Sequence, residues 1–173
     1  MRLYRTKIPT IGMEIVSTLG AAEDIEVTVE KVPELEMDIR AIMDGYAKME
    51  SQVIEETKEL MAQKGLPYNE FRRIKKLVSQ EHHHVTGLDG QDWIINQIIE
   101  CLMISPNVEE VYADDPSLRK KIYDVFKRNI VDEDQLDTDV RARMKNLKEG
   151  TPAWDIEYQK VMRDVKRKHG LIA

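Results

Sequence analysis

The side chains best suited to chemistry in this 173-residue chain stand in one run, Glu81-His82-His83-His84. Neutral imidazole is the commonest metal ligand, and three imidazoles beside a carboxylate have the ligand types zinc takes. The spacing opposes that use. Consecutive residues point roughly 100° apart on a helix and to opposite faces on a strand, so three adjacent imidazoles converge only through an unusual turn. No His-Glu-x-x-His spacing occurs, and His169 is remote in sequence. The expected setting of His82 to His84 is a helix end, where imidazoles face the last free carbonyls. A metal-dependent enzyme at this cluster ranks last of three functional readings.

The other reactive residue types have plainer explanations. Cys101 is the sole cysteine, so no internal disulfide forms, and the apolar run Ile98 to Ile104 around it would raise its thiol pKa. A reducing compartment fits it best. Asp114 and Asp115 precede Pro116 as a helix cap, and Asp137 and Asp139 lie on a helix face. Phosphate-cradling glycine loops, nucleophile elbows and paired Cys-x-x-Cys motifs are lacking in the sequence. No catalytic residue, metal ligand or cofactor is therefore assigned, and the balance leans away from an enzyme.

Charge is more informative. The net charge is -6, yet residues 22 to 59 hold twelve acids against four bases, while residues 160 to 169 carry five bases against Asp164 alone. One basic face comprises Arg72, Arg73, Lys75 and Lys76; its counterpart is Lys160, Arg163, Lys166, Arg167 and Lys168. Two such faces could hold one polyanion at two points, with an affinity that falls as salt rises. The plainer expectation is a solvated surface, or pairing with the acidic stretch. Trp154, Tyr46 and Met49 are candidates for a partner surface, although a Trp beside a helix cap more often packs over the neighbouring helix.

These side chains are positioned by a scaffold that repeats itself. Leu35, Asp38, Arg40, Ala41 and Met43 recur as Leu136, Asp139, Arg141, Ala142 and Met144, 101 residues later. Each copy is followed by a break, Gly65-Leu66-Pro67 or Gly150-Thr151-Pro152, and then by a second amphipathic segment. The repeated unit is a helix, a Gly-x-Pro break and a helix. Leu35, Ile39, Ile42, Tyr46, Met49 and Val53 step by fours and threes along a helix expected over 34–64. The second copy, Leu136, Val140, Met144 and Leu147, reads as shorter by about two turns. Phe71, Ile74, Leu77 and Val78, and later Tyr158, Val161 and Val165, are expected to face inward. Thr151 and Pro152 read as cap and first helical position.

Ahead of the first copy, a short helix is expected over 7–19, ended by Gly20, and an extended connector near residues 25–30. Between the copies, Trp93 to Ile104 leaves almost no polar face, so it reads as a central helix covered on all sides, or as a dimer interface. The expected class is all-α: two unequal helical hairpins, 1–86 and 116–173, each packed on its twin around a central apolar segment, 87–115, in one domain.

Met1-Arg2-Leu3-Tyr4, Asn107-Val108-Glu109-Glu110-Val111 and Glu149-Gly150-Thr151-Pro152-Ala153-Trp154-Asp155 look like patterns of the bacterial domain-of-unknown-function family 507 (DUF507), which the chain resembles over nearly its whole length. The resemblance implies a bacterial, cytoplasmic, helical protein and supplies no catalytic residues. Glu81 to His84 stands outside those patterns and carries no family-wide role. At 42% apolar and 34% charged residues the chain is globular in composition, and its longest apolar stretch is too broken to span a membrane. The basic start is followed by no apolar core or cleavage site, so the expected location is the cytoplasm. The leading functional expectation is a protein-protein adaptor or assembly factor, with a homodimer as one form; the alternative is an RNA- or ribosome-associated protein using the two basic faces.

Overall fold

The apolar stripe that begins at Leu35 keeps one face of a single continuous helix as far as Met61. The computed structural model describes residues 3–131, 133–144 and 148–172. Among them seven α-helices are α1 Ile8–Ala21, α2 Val32–Lys64, α3 Phe71–Glu81, α4 Gly87–Ile104, α5 Asp115–Asn129, α6 Glu133–Arg143 and α7 Pro152–Lys168. Two short strands, β1 Ile25–Glu26 and β2 Glu110–Val111, pair antiparallel. The class is all-α, and no described helix is long and apolar enough to cross a membrane.

The main core joins α1, the first half of α2, α4 and α5. Ile11 and Ile15 of α1, Leu35 and Ile39 of α2, Ile94 and Ile98 of α4, and Ile122 and Phe126 of α5 are fully buried in it. Burial of a Leu, Ile or Phe side chain stabilises by about 1.5–3 kcal/mol, so this cluster dominates the fold. α1 runs one residue beyond Gly20, which is tolerated near the end of a helix whose buried face already closes at Leu19. The connector has a partner that its alternation did not reveal: Ile25 lies opposite Val111 and Glu26 opposite Glu110. The Asp24 carbonyl accepts from the N–H groups of Tyr112 (2.8 Å) and Ala113 (3.2 Å), and its carboxylate takes Lys121 Nζ at 2.5 Å. Val29 leaves the strand direction and opens a 3₁₀ turn, Val29–Lys31, that leads into α2.

Farther along α2, Val53 and Met61 meet Ile74 and Val78 of α3. Gly65 reverses the chain between them, because the αL conformation it adopts (φ 61°) is one that side chains with a Cβ resist. Leu77, expected to face inward, is exposed. Among the described residues α3 rests mainly on α2, through the arc of Ile74 and Val78, and the flank that carries Leu77 is left open.

Among the described residues the second hairpin, α6 with α7, does not share a core with its twin. Its own core holds Leu136, Val140, Met144, Val165 and Leu171, and the side chain that completes it is Tyr4 from the other end of the chain. α6 has 11 residues against 33 in α2, shorter by about six turns rather than two. Met144 has already left the helix, bonding Arg141 O at 3.0 Å, and Leu147 lies outside the described residues. The repeated motif nevertheless plays one local role in both copies. Leu35 and Leu136, and Met43 and Met144, are buried, while Arg40 pairs with Glu36 (2.8 Å) and Arg141 with Asp137 (2.6 Å), one turn back.

Residues 3–6 staple this hairpin to the rest. Leu3 enters the main core, Tyr4 enters the hairpin core, and Thr6 Oγ1 donates to Gly170 O at 2.8 Å. A cleft of about 280 Å³ lined by Arg5, Glu50, Ser51 and Leu171 separates the hairpin from α2 at this joint. Tyr4→Ala is therefore expected to speed amide hydrogen exchange in α6 and α7 while leaving α1 and α4 protected; uniform loss across all four helices would contradict the staple.

Candidate functional site

α3 closes with the His82 N–H on Val78 O (3.1 Å), and the three imidazoles then part. His82 Nε2 lies 2.6 Å from a Glu56 carboxylate oxygen on α2. His83 turns the chain at φ 50° and is exposed. His84 goes inward, its ring centroid 4.7 Å from that of Tyr46, and its Nε2 is buried with no hydrogen-bond partner among the described residues. Burial pushes the His84 pKa below the ordinary histidine value, against a smaller opposing pull from Glu50. No three His, Cys, Asp or Glu side chains gather as a metal cluster among the described residues.

Tyr46, expected as a candidate partner surface, is buried and belongs to the core. Its hydroxyl donates to Val85 O at 2.9 Å, and burial, with Glu50 adding to it, raises its pKa so that it stays a neutral donor. The site accommodates that hydroxyl only because residue 90 is glycine: a Cβ there would stand 2.1 Å from Tyr46 Oη and 2.9 Å from Val85 O. Met49 is half-buried. Trp154 is also half-buried, stacked on Tyr158 with centroids 4.9 Å apart and the Arg141 guanidinium 5.4 Å above its ring. It packs within the second hairpin. The Thr151 cap above it stands as expected, with Oγ1 accepting from Trp154 N at 3.3 Å.

The basic residues divide. Arg73 Nε sits 2.5 Å from Glu70, and Lys75 reaches the buried Glu50 at 3.3 Å. Lys166 lies over the Tyr4 ring at 5.7 Å, and Arg167 and Lys160 stand 3.7 Å from Asp164 and Glu157 of their own helix. Arg72, Lys76, Arg163 and Lys168 are exposed. Burial works against ionisation of Asp137, yet hydrogen bonds from Tyr158 and Arg141, with the Arg72 charge nearby, hold its carboxyl below the usual range. Arg72 thus brings α3 within electrostatic reach of α6. At α5 the cap is Asp114, which accepts from Ser117 N at 3.0 Å, one residue earlier than Asp115. Burial pushes the Cys101 thiol up, and Asp38 adds to that, so the thiol is not activated.

The sequence left α4 as either covered on all sides or a dimer interface, and in the structure one flank of it is open. Gly90, Gln91, Ile94, Ile95, Ile98, Ile99 and Leu102 are buried on one side. The opposite side carries Trp93 (41% exposed), Met103 (53%) and Ile104 (83%), interleaved with the exposed Asp89, Asp92, Asn96 and Glu100. The central helix is therefore covered on one side and not all round, because α2 and α5 pack on it from the same half. A signal was present: Asp89, Asp92, Asn96 and Glu100 return at helical spacing and mark the solvent arc. Trp93 is held by Tyr46, ring centroids 6.0 Å apart, so the flank is built on the same buried tyrosine.

The model of a family described as protein of unknown function, DUF507, matches residues 1–171. A comparison with curated proteins finds no match.

Two outcomes are expected from this geometry. Gly90→Ala lowers stability by about 1–3 kcal/mol through overpacking at Tyr46, read as a lower urea midpoint, and adding Tyr46→Phe recovers part of the loss. For His84, the unfolded chain takes up the proton first on acidification, so stability falls as pH drops below the ordinary histidine value and levels off below the folded-state value. Replacing His84 by Gln flattens that part of a stability-against-pH curve; an unchanged slope would remove His84 as its source.

Proposed function

The chain belongs to the DUF507 family, whose description gives no activity, and we propose from its geometry that it is a cytoplasmic protein-binding adaptor docking partners on the open flank of α4. No catalytic step is assigned to it. The observation that carries this reading is the exposure of Trp93, Met103 and Ile104 on one side of a helix whose other side is core. Exposed Trp and Met in a single patch are typical of binding surfaces, where a rigid aromatic anchors and a flexible thioether adapts. Asp89, Asp92 and Glu100 among them favour a partner that is both apolar and cationic, since opposite charges around an apolar centre orient the encounter.

A second reading, binding of RNA, rests on the exposed Arg72, Lys76, Arg163 and Lys168. It has less support, because Arg73 and Lys75 already face carboxylates.

Photo-crosslinking separates the two. A benzophenone amino acid replacing Asn96 is expected to capture protein from the native cytoplasm, and that capture is lost when Trp93 and Ile104 are both changed to Asp with helicity retained by circular dichroism. Capture indifferent to the two aspartates overturns the adaptor reading. Recovery of RNA that disappears when Arg72, Lys76, Arg163 and Lys168 are reversed in charge establishes the second reading in its place.

A further inference from the structure

α7 turns Tyr158, Val161 and Val165 toward α6. That leaves Ile156, Lys160, Arg163 and Arg167 on its outer side, at steps of four, three and four residues. Ile156 is 71% exposed. Lys160 and Arg167 make only 3.7 Å approaches to Glu157 and Asp164, exposed pairs that cost little to exchange for better ones. The outer stripe of α7 is thus one apolar residue followed by three cations.

The open flank of α4 is its complement. From its C-terminal end it reads Met103 with Ile104, then Glu100, Asn96 beside Trp93, and Asp92. Met103 to Asp92 spans eleven residues, as does Ile156 to Arg167, and on a helix each span is about 16.5 Å. Laid antiparallel, α7 sets Ile156 on Met103 and Ile104, Lys160 beside Glu100, Arg163 beside Asn96 and the Trp93 ring, and Arg167 beside Asp92. Apolar meets apolar, and each cation meets an acid or an aromatic face. The parallel arrangement would put Arg167 on Met103 and Ile156 on Asp92, so the pattern also selects a direction. Both stripes are exposed in the single chain, so neither satisfies the other within one molecule.

We propose that the occupant of the α4 flank is α7 of a second copy of this chain. This rests on the reading of that flank as a docking surface and names its partner. Each copy carries both stripes, so the contact either closes reciprocally into a dimer or repeats into an open chain. A single helix-on-helix contact is small, which makes the association weak and concentration-dependent.

Sedimentation velocity over a concentration series tests it, with circular dichroism confirming the fold of each variant. The wild-type sedimentation coefficient is expected to rise with concentration. The double variant Arg163→Glu, Arg167→Glu and the double variant Asp92→Lys, Glu100→Lys each weaken association by at least about tenfold. Mixed in equal amounts, the two variants associate again, because each acidic α7 then meets a basic α4 and each basic α7 an acidic α4. The benzophenone at Asn96 is expected to crosslink to the peptide containing Arg163 of the second copy. A wild-type chain that stays monomeric to its solubility limit, or a mixture no more associated than its components, overturns the inference. If self-association is absent while the Asn96 probe still captures other proteins through Trp93 and Ile104, only the identity of the partner is wrong; if that capture is absent as well, the docking surface itself falls.

Discussion

The hydrogen bond from Tyr46 to Val85 O is the contact on which the arrangement of the functional surface depends. It places a phenol between α2 and the loop that starts α4, above a glycine that leaves it just enough room. A buried hydroxyl without an acceptor would cost about 1–3 kcal/mol, so α4 is held to the register that supplies one. The buried Ile94, Ile98 and Leu102 turn one arc of α4 inward, and the bond ties the approach to that helix onto α2. His84 leans on one side of the same ring and Trp93 on another, so the buried tyrosine links a neutral imidazole to an exposed indole.

α2 makes this possible by serving as a common wall. Its buried positions, from Leu35 through Met43 and Val53 to Met61, never leave one side of the helix, yet they face different neighbours along its length. The middle of the stripe is polar. Glu50 is buried and answered by Lys75, and Thr57 returns its hydroxyl to Val53 O at 2.6 Å. These satisfied polar groups divide the apolar surface into two cores while the helix stays unbroken. The division frees the far end of α2 to carry α3 independently of the main core.

What the sequence made legible is what local chemistry decides. The helix from Leu35 onward, the glycine at 65 and the Thr151-Pro152 start are read within one or two turns of chain and stand where expected, although within the stripe Met43 and Glu50 are buried where Ile42 and Met49 were expected. What escaped depends on partners distant in sequence. Tyr46 looked available because nothing near it announces Val85 or Gly90. Ile25 looked unpaired because Val111, with which it forms a two-residue ladder, lies 86 positions away. The apolar run in α4 concealed its open flank because residue type alone does not tell which neighbours arrive, and Leu77 was misplaced for the same reason. The repeated motif marked two similar helices truly, but the match of five side chains carried no information on length or on packing between the copies.

The stapling of the second hairpin by residues 3–6 has a kinetic side. Thr6 and Gly170 are separated by 164 positions, and Tyr4 fills a core otherwise built from Leu136 onward. The segment that completes the hairpin is therefore synthesised well before Leu136, Val140 and Val165, which form its seat. Closing so long a loop is entropically slow relative to forming the helices themselves. Tyr4 has a seat only once α6 and α7 have formed, and until then an apolar aromatic stands in solvent beside an unfinished pair of helices.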